Sequence, residues 1–199
     1  MSQHLVLHGV AVKKHADARA IIEFTGLPES TVTKLLADGV KSGRIVEAQG
    51  KYLLAPLARV ALEGQYGSTC AALRASPTFL FAHEAFERIN VQLKALITDW
   101  QTLEVGGARV ANDHSDADYD VRVIDRLGEL HERAEGVLAQ LCREVPRFAY
   151  YTRNLLAALE RAEGGELEWV SDARIPSYHT LWFELHEDLL RLVGRQRQE

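Results

Sequence analysis

The chain has 199 residues, of which 47% are hydrophobic and 26% charged, and its formal net charge is −5. These values place it among ordinary soluble globular proteins with a real core, while Cys70 and Cys142, far apart and without CxxC spacing, exclude a disulfide framework or a thiolate zinc site. No apolar run approaches the roughly 20 residues of a membrane span, and the start MSQHLVLHGVAVKKH lacks a secretory layout, so a cytoplasmic location is expected.

In chain order, Leu5 to Lys14 is apolar and predicts a first helix, with Gly9 as a weak point. Ala20, Ile21 and Phe24 recur at helical spacing in a second helix, which Gly26 ends, and Pro28 sits where a new helix accepts proline. From Glu29 to Ser42, residues Val32, Leu35, Leu36, Gly39 and Val40 form one apolar stripe. Ser30, Thr31, Thr33, Lys34, Asp38 and Lys41 are left on the other faces. Gly43 breaks this helix. Arg44-Ile45-Val46-Glu47 and Lys51-Tyr52-Leu53-Leu54 then flank the turn pair Gln49-Gly50 and predict a two-stranded hairpin.

Helix, tight turn, helix and hairpin is the order of a winged helix-turn-helix. The stretch GLPESTVTKLLADGVKSGRIVEAQGKYLLAPLAR, Gly26 to Arg59, resembles the winged-helix domains of bacterial regulators of the MarR and related groups. That resemblance implies that the second helix of the motif enters the major groove of DNA and that the hairpin, or wing, lies along the backbone. Ser30, Thr31, Thr33 and Lys34 would then contact bases and phosphates, with Lys41, Arg44 and Lys51 positioning the backbone. The same scaffold also serves as a protein-docking module.

Charge is unevenly spread. Residues 1–66 hold eight Lys and Arg against six Asp and Glu, a net +2, and residues 67–199 carry −7. A small DNA-binding head on an acidic body fits this balance, although +2 is weak for one copy, so a homodimer is expected. Pro56 opens a helix over Leu57 to Gln65, and Gly67-Ser68 marks the expected boundary between a winged-helix domain at 1–66 and a second domain at 67–199.

Beyond it, Thr69 to Arg74 continues helically, and Phe79 to Leu103 is a long amphipathic helix. Val105 to Asp118 reads as the main loop. Tyr119 to Arg143 and Phe148 to Glu163 are further helices, the latter ended by Gly164-Gly165; Trp169-Val170 lies in a linker before Pro176. Ser177 to Val193 is the last helix, after which residues 195–199 should fray. Four main helices predict an all-helical bundle, and the expected fold class is therefore mainly α throughout.

Polar clusters are few. His179 and His186 lie seven apart on one helix, a rise of about 10 Å, too far for one ion to bridge. The run Asn112-Asp113-His114-Ser115-Asp116, with Asp118 and Asp120, lacks the register of an EF-hand and reads as solvated loop and helix cap, so no metal site is expected. If that loop folds over the bundle, His114 meets His131 and His179, and with Trp182 and His186 these line an effector pocket. The Asp and three His of helical ligand domains in GntR-group regulators do not transfer, because Asp125 and His131 are six apart rather than four.

The segments NDHSDADYDVRVIDRL, VPRFAYYTRNLLAAL and SYHTLWFELHEDLLRLVGR are similar to parts of actinobacterial phosphoenolpyruvate-utilising, dikinase-like proteins. That resemblance implies an accessory subunit beside a phosphotransferase; the glycine-rich turn before Ser-His that carries phosphohistidine is absent. No GxGxxG, P-loop, GxSxG or CxxC motif occurs, and no nucleophile has an identifiable base, so neither catalysis nor a cofactor is expected. Two readings follow. One is a dimeric transcriptional regulator on double-stranded DNA; the other is a non-catalytic interaction module on an enzyme partner.

Overall fold

The computed structural model describes residues 2–195 and is mainly α-helical, with two small antiparallel sheets of two strands each. Two units can be told apart, one formed by residues 2–75 with 186–195 and the other by 76–185. The boundary expected at 66/67 falls inside a helix, because Gly67 and Ser68 continue the helical backbone while Tyr66 and Cys70 bury its inner face.

The first unit runs α1 (Ser2–Lys13), α2 (Ala18–Thr25), α3 (Glu29–Lys41), β1 (Ile45–Ala48), β2 (Lys51–Leu54), α4 (Pro56–Thr69) and the short α5 (Ala71–Arg74). Apolar positions at helical spacing become its core: Val6 and Val10, Ile21 and Phe24, Val32 and Leu36, joined by Ile45, Leu54 and Leu62. α1 continues through Gly9, where a Cβ would stand 3.0 Å from Phe24 Cδ1, so the glycine lets α1 and α2 approach closely. Three buried polar groups cross this core. His8 Nδ1 lies 2.6 Å from the Tyr66 hydroxyl and His8 Nε2 2.9 Å from Asp188 Oδ1, tying α1 to α4 and to the end of the last helix.

In the second unit, α6 (Pro77–Gln101) and α7 (Ala117–Glu144) lie antiparallel: Asp99 pairs with Arg126, Gln92 with Arg133 and Ser76 with Glu144. A 3₁₀ turn at Pro146–Phe148, α8 (Ala149–Glu163), α9 (Glu168–Ser171) and residues 178–185 of α10 (Tyr178–Val193) complete it. Phe86, Leu93, Leu127, Leu130, Tyr151, Leu155, Leu181 and Trp182 fill the core. The all-helical expectation fails between α6 and α7, where β3 (Thr102–Val105) and β4 (Ala108–Ala111) pair around Gly106-Gly107. Both glycines have positive φ, 60° and 81°, the backbone a two-residue hairpin turn demands. Of the loop expected over Val105 to Asp118, residues 105–111 therefore belong to a hairpin and 112–116 remain irregular, while Thr102 and Leu103, expected to end the long helix, begin β3. Trp169 and Val170, expected in a linker, belong to α9. The fraying expected over 195–199 lies, from residue 196 onward, outside the described residues.

Candidate nucleic-acid interface

Asp17 sets the start of α2: its Oδ1 accepts from the Ala20 amide at 2.9 Å, while Gly26, in the left-handed region, closes the other end. Pro28, extended at ψ 138°, turns the chain into α3. Val32, Leu36 and Gly39 face inward, so the spacing of three and four leaves Ser30, Thr33, Lys34, Ala37 and Lys41 exposed along the opposite side. Thr31 is half-buried at its margin. A shallow, open hollow follows this face, lined by Glu29, Ser30, Thr33, Lys34 and Ala37.

The hydroxyls of Ser30, Thr31 and Thr33 make no hydrogen bond among the described residues, and α3 has no side-chain cap. They are not there to cap the helix. Lys34, Lys41 and Arg44 likewise have no ion pair or side-chain hydrogen bond among the described residues, which leaves three free cations within eleven positions. Glu29 and Asp38 on α3 and Glu47 on β1 are also exposed, so the field of this face is mixed rather than strongly positive.

Lys51 differs from the other cations. Its Nζ lies 2.9 Å from Asp17 Oδ2, so it fastens the hairpin to the start of α2 instead of standing free. Ala16 and Tyr52 add a backbone bridge at the same place, with the Tyr52 amide donating to the Ala16 carbonyl at 2.8 Å. The amide of Ala20 and the ammonium of Lys51 together hold the Asp17 carboxyl below its ordinary range. Burial pushes the Tyr52 phenol up, with the Glu47 charge adding to it.

The residues expected to form an effector pocket gather only in part: His131 and Trp182 both lie against the Tyr178 ring, at 5.7 and 6.1 Å between centroids, while His114 is held elsewhere. His114 Nδ1 lies 3.0 Å from Asp120 Oδ2 and its ring stands 4.5 Å from that of Trp100. His131 is 11 residues further along α7, about 16 Å by helical rise, and its Nδ1 meets the Tyr178 hydroxyl at 3.0 Å. Trp182 stacks on Phe86 and donates from Nε1 to Asn90 Oδ1 at 3.1 Å. His179 and His186 are half-buried on parts of α10 that fall in different units. Burial holds the His131 imidazole below its ordinary range against the opposing charges of Glu135, Glu163 and Glu132, and burial pushes the Tyr178 phenol far up. Among the described residues no three His, Cys, Asp or Glu are placed to hold a metal ion, and no helix is long and apolar enough to cross a membrane.

The sequence reading missed the His8, Tyr66 and Asp188 set and the role of Asp120. Asp188 continues the apolar row Leu181, Leu185 and Leu192 at helical spacing, and a carboxylate in such a row signals a buried partner. What it could not supply was the partner, 180 positions away in the chain. These groups are sealed from solvent, with 3% and 0% of the His8 and Asp188 side chains exposed, and so tie helices together rather than meet a substrate.

No family model, no curated protein and no solved structure matches this chain.

Proposed function

We propose that the chain is a DNA-binding transcriptional regulator whose residues 1–66 form a winged helix-turn-helix, α2 and α3 being the paired helices and β1–β2 the wing. The observation that carries this reading is the outward side of α3, where unbonded hydroxyls and the free cations Lys34 and Lys41 stand, followed by the free cation Arg44 where the chain enters a fixed hairpin. Short hydroxyl and cationic side chains on an exposed helix suit a major groove, and a hairpin held at a set angle suits the flanking backbone. The helical second domain would provide dimerisation or an effector site, and an acidic body of that kind keeps non-specific binding low.

Lys41 and Arg44, the free cations nearest the backbone, predict few phosphate contacts and a salt slope near −2 per copy. Fluorescence anisotropy on duplex DNA over a range of salt tests this: Lys41→Ala/Arg44→Ala should weaken binding on all sequences and flatten the slope by about 2. Full affinity and an unchanged slope in that double variant reject the proposal.

A second reading, the non-catalytic interaction module on an enzyme partner such as a phosphoenolpyruvate-utilising phosphotransferase, draws on α4. There Leu57 and Val60 are 85% and 66% exposed, more apolar surface than a DNA reader needs. Co-purification of a stoichiometric polypeptide that Leu57→Glu releases, with no duplex binding, would favour it.

A further inference from the structure

If this side of α3 reads DNA, which bases it reads is already constrained by its side chains. Ser30, Lys34, Ala37 and Lys41 follow one another at spacings of four, three and four and so share one line on the exposed face, with Thr33 one row to the side. Recognition helices enter the groove with their N-terminal residues, so in a helix of 13 residues Lys34, the sixth, lies at base level and Lys41, the last, lies at the rim beside the phosphates.

The helix contains no Asn, Gln or Arg. It therefore lacks the amide that makes a two-point contact with adenine, and Lys34 is its one cationic donor at base depth. An ammonium on a flexible stem finds two acceptors side by side only on guanine, at O6 and N7. Around it, Ala37 and Thr33 present methyl groups, whose counterpart in the major groove is the C5-methyl of thymine. Asp38, exposed four residues after Lys34, bars a phosphate from that flank and can accept only from an amino group such as cytosine N4.

We infer that this face selects a guanine through Lys34 next to a thymine seated on Thr33 and Ala37, so that Lys34 is the specificity-determining residue of the site. The inference rests on the DNA-binding reading above. It gives Lys34 one base edge and Thr33 with Ala37 another, and leaves Lys41 and Arg44 to the backbone.

Selection from a duplex library with a randomised core, using the full chain, should enrich sites with an invariant guanine flanked by thymine. In the selected duplex, 7-deazaguanine, which lacks the N7 acceptor, should lower affinity about tenfold, and uracil for thymine, which removes only the methyl, a few-fold. Lys34→Ala should abolish the sensitivity to 7-deazaguanine while keeping the sensitivity to uracil; circular dichroism checks that this exposed substitution leaves the fold intact. Binding that is salt-dependent but indifferent to both analogues overturns the inference and leaves the DNA-binding reading standing. Absence of any duplex binding overturns both.

Discussion

The two hairpins of this chain have the same length and the same turn geometry, yet they are held by opposite means. β1–β2 turns at Gln49-Gly50 and β3–β4 at Gly106-Gly107, each pair with positive φ and each hairpin with four-residue strands. The first buries Ile45 and Leu54 at its base and gains the Ala16 bridge and the Lys51–Asp17 pair. In the second every residue of β4 is exposed, and Val105 and Val110 keep 59% and 43% of their surface in water. Its base is secured by polar groups: Asn112 donates to the Trp100 carbonyl and to Asp120, and Asp120 also holds His114. A two-stranded hairpin has marginal stability alone, so what lies beneath it decides its order. Apolar burial fixes the hairpin beside α3; a buried carboxylate fixes the other.

The largest effect should come from Asp120, which is 2% exposed. Asp120→Ala removes the acceptor for His114 and for one Asn112 bond, at a cost of about 2 to 3 kcal/mol for hydrogen bonds to a charged group. Hydrogen exchange should then accelerate by well over tenfold across 102–111 and stay unchanged across 45–54. Equal acceleration in both hairpins, or none in either, would break the contrast.

The first hairpin should answer to packing instead. A Cβ at Gly39 would come within 2.6 Å of Ile45 Cδ1, so Gly39→Ala crowds the contact between α3 and β1. Overpacking of about 1 to 3 kcal/mol outweighs the helix-propensity gain of about 1 kcal/mol, and a net loss near 1 kcal/mol is expected. Ile45→Val deletes the offending methyl. In that background only the γ-carbon contact at 3.0 Å remains and Gly39→Ala should cost clearly less, a coupling above about 0.5 kcal/mol in a denaturation cycle, whereas additivity within about 0.3 kcal/mol would show that the two residues do not touch.

The same contrast explains what the sequence could disclose. Helices with sustained apolar spacing were legible, as in α3 and α7, because a period of three and four with caps such as Asp116 is a local property. The first hairpin was legible from its alternating strands. The second was not, although Thr102 to Val105 and Ala108 to Ala111 flank a glycine pair, because the apolar spacing of α6 runs on to Leu103 and the acidic, serine-containing run after Ala111 merged with the rest into one apparent loop. The openness of Ser30, Thr33 and Lys34 followed from the inward stripe. That Lys51 is tied to Asp17, and that His114, His131 and Trp182 each bond to a different neighbour, depends on chain segments meeting in space, which spacing alone does not encode.

The smallest effect should be found at Asp17. Its pair with Lys51 is about half exposed on both sides, and such surface pairs contribute under about 1 kcal/mol. Asp17→Asn keeps a side-chain oxygen for the Ala20 amide, since Asn caps a helix as well as Asp, and so isolates the charge. The folded-state carboxyl is held below its ordinary value of 3.8, chiefly by the Ala20 amide and then by Lys51. A depressed carboxyl contributes stability that is present above the unfolded value and lost as pH falls through the folded one. The difference between the natural chain and Asp17→Asn should therefore be constant from neutral pH down to about 5 and then shrink progressively as pH falls through the unfolded and the lowered folded values. If the difference instead exceeds about 2 kcal/mol at neutral pH, the hairpin beside α3 depends on this charge and the two hairpins are held alike after all.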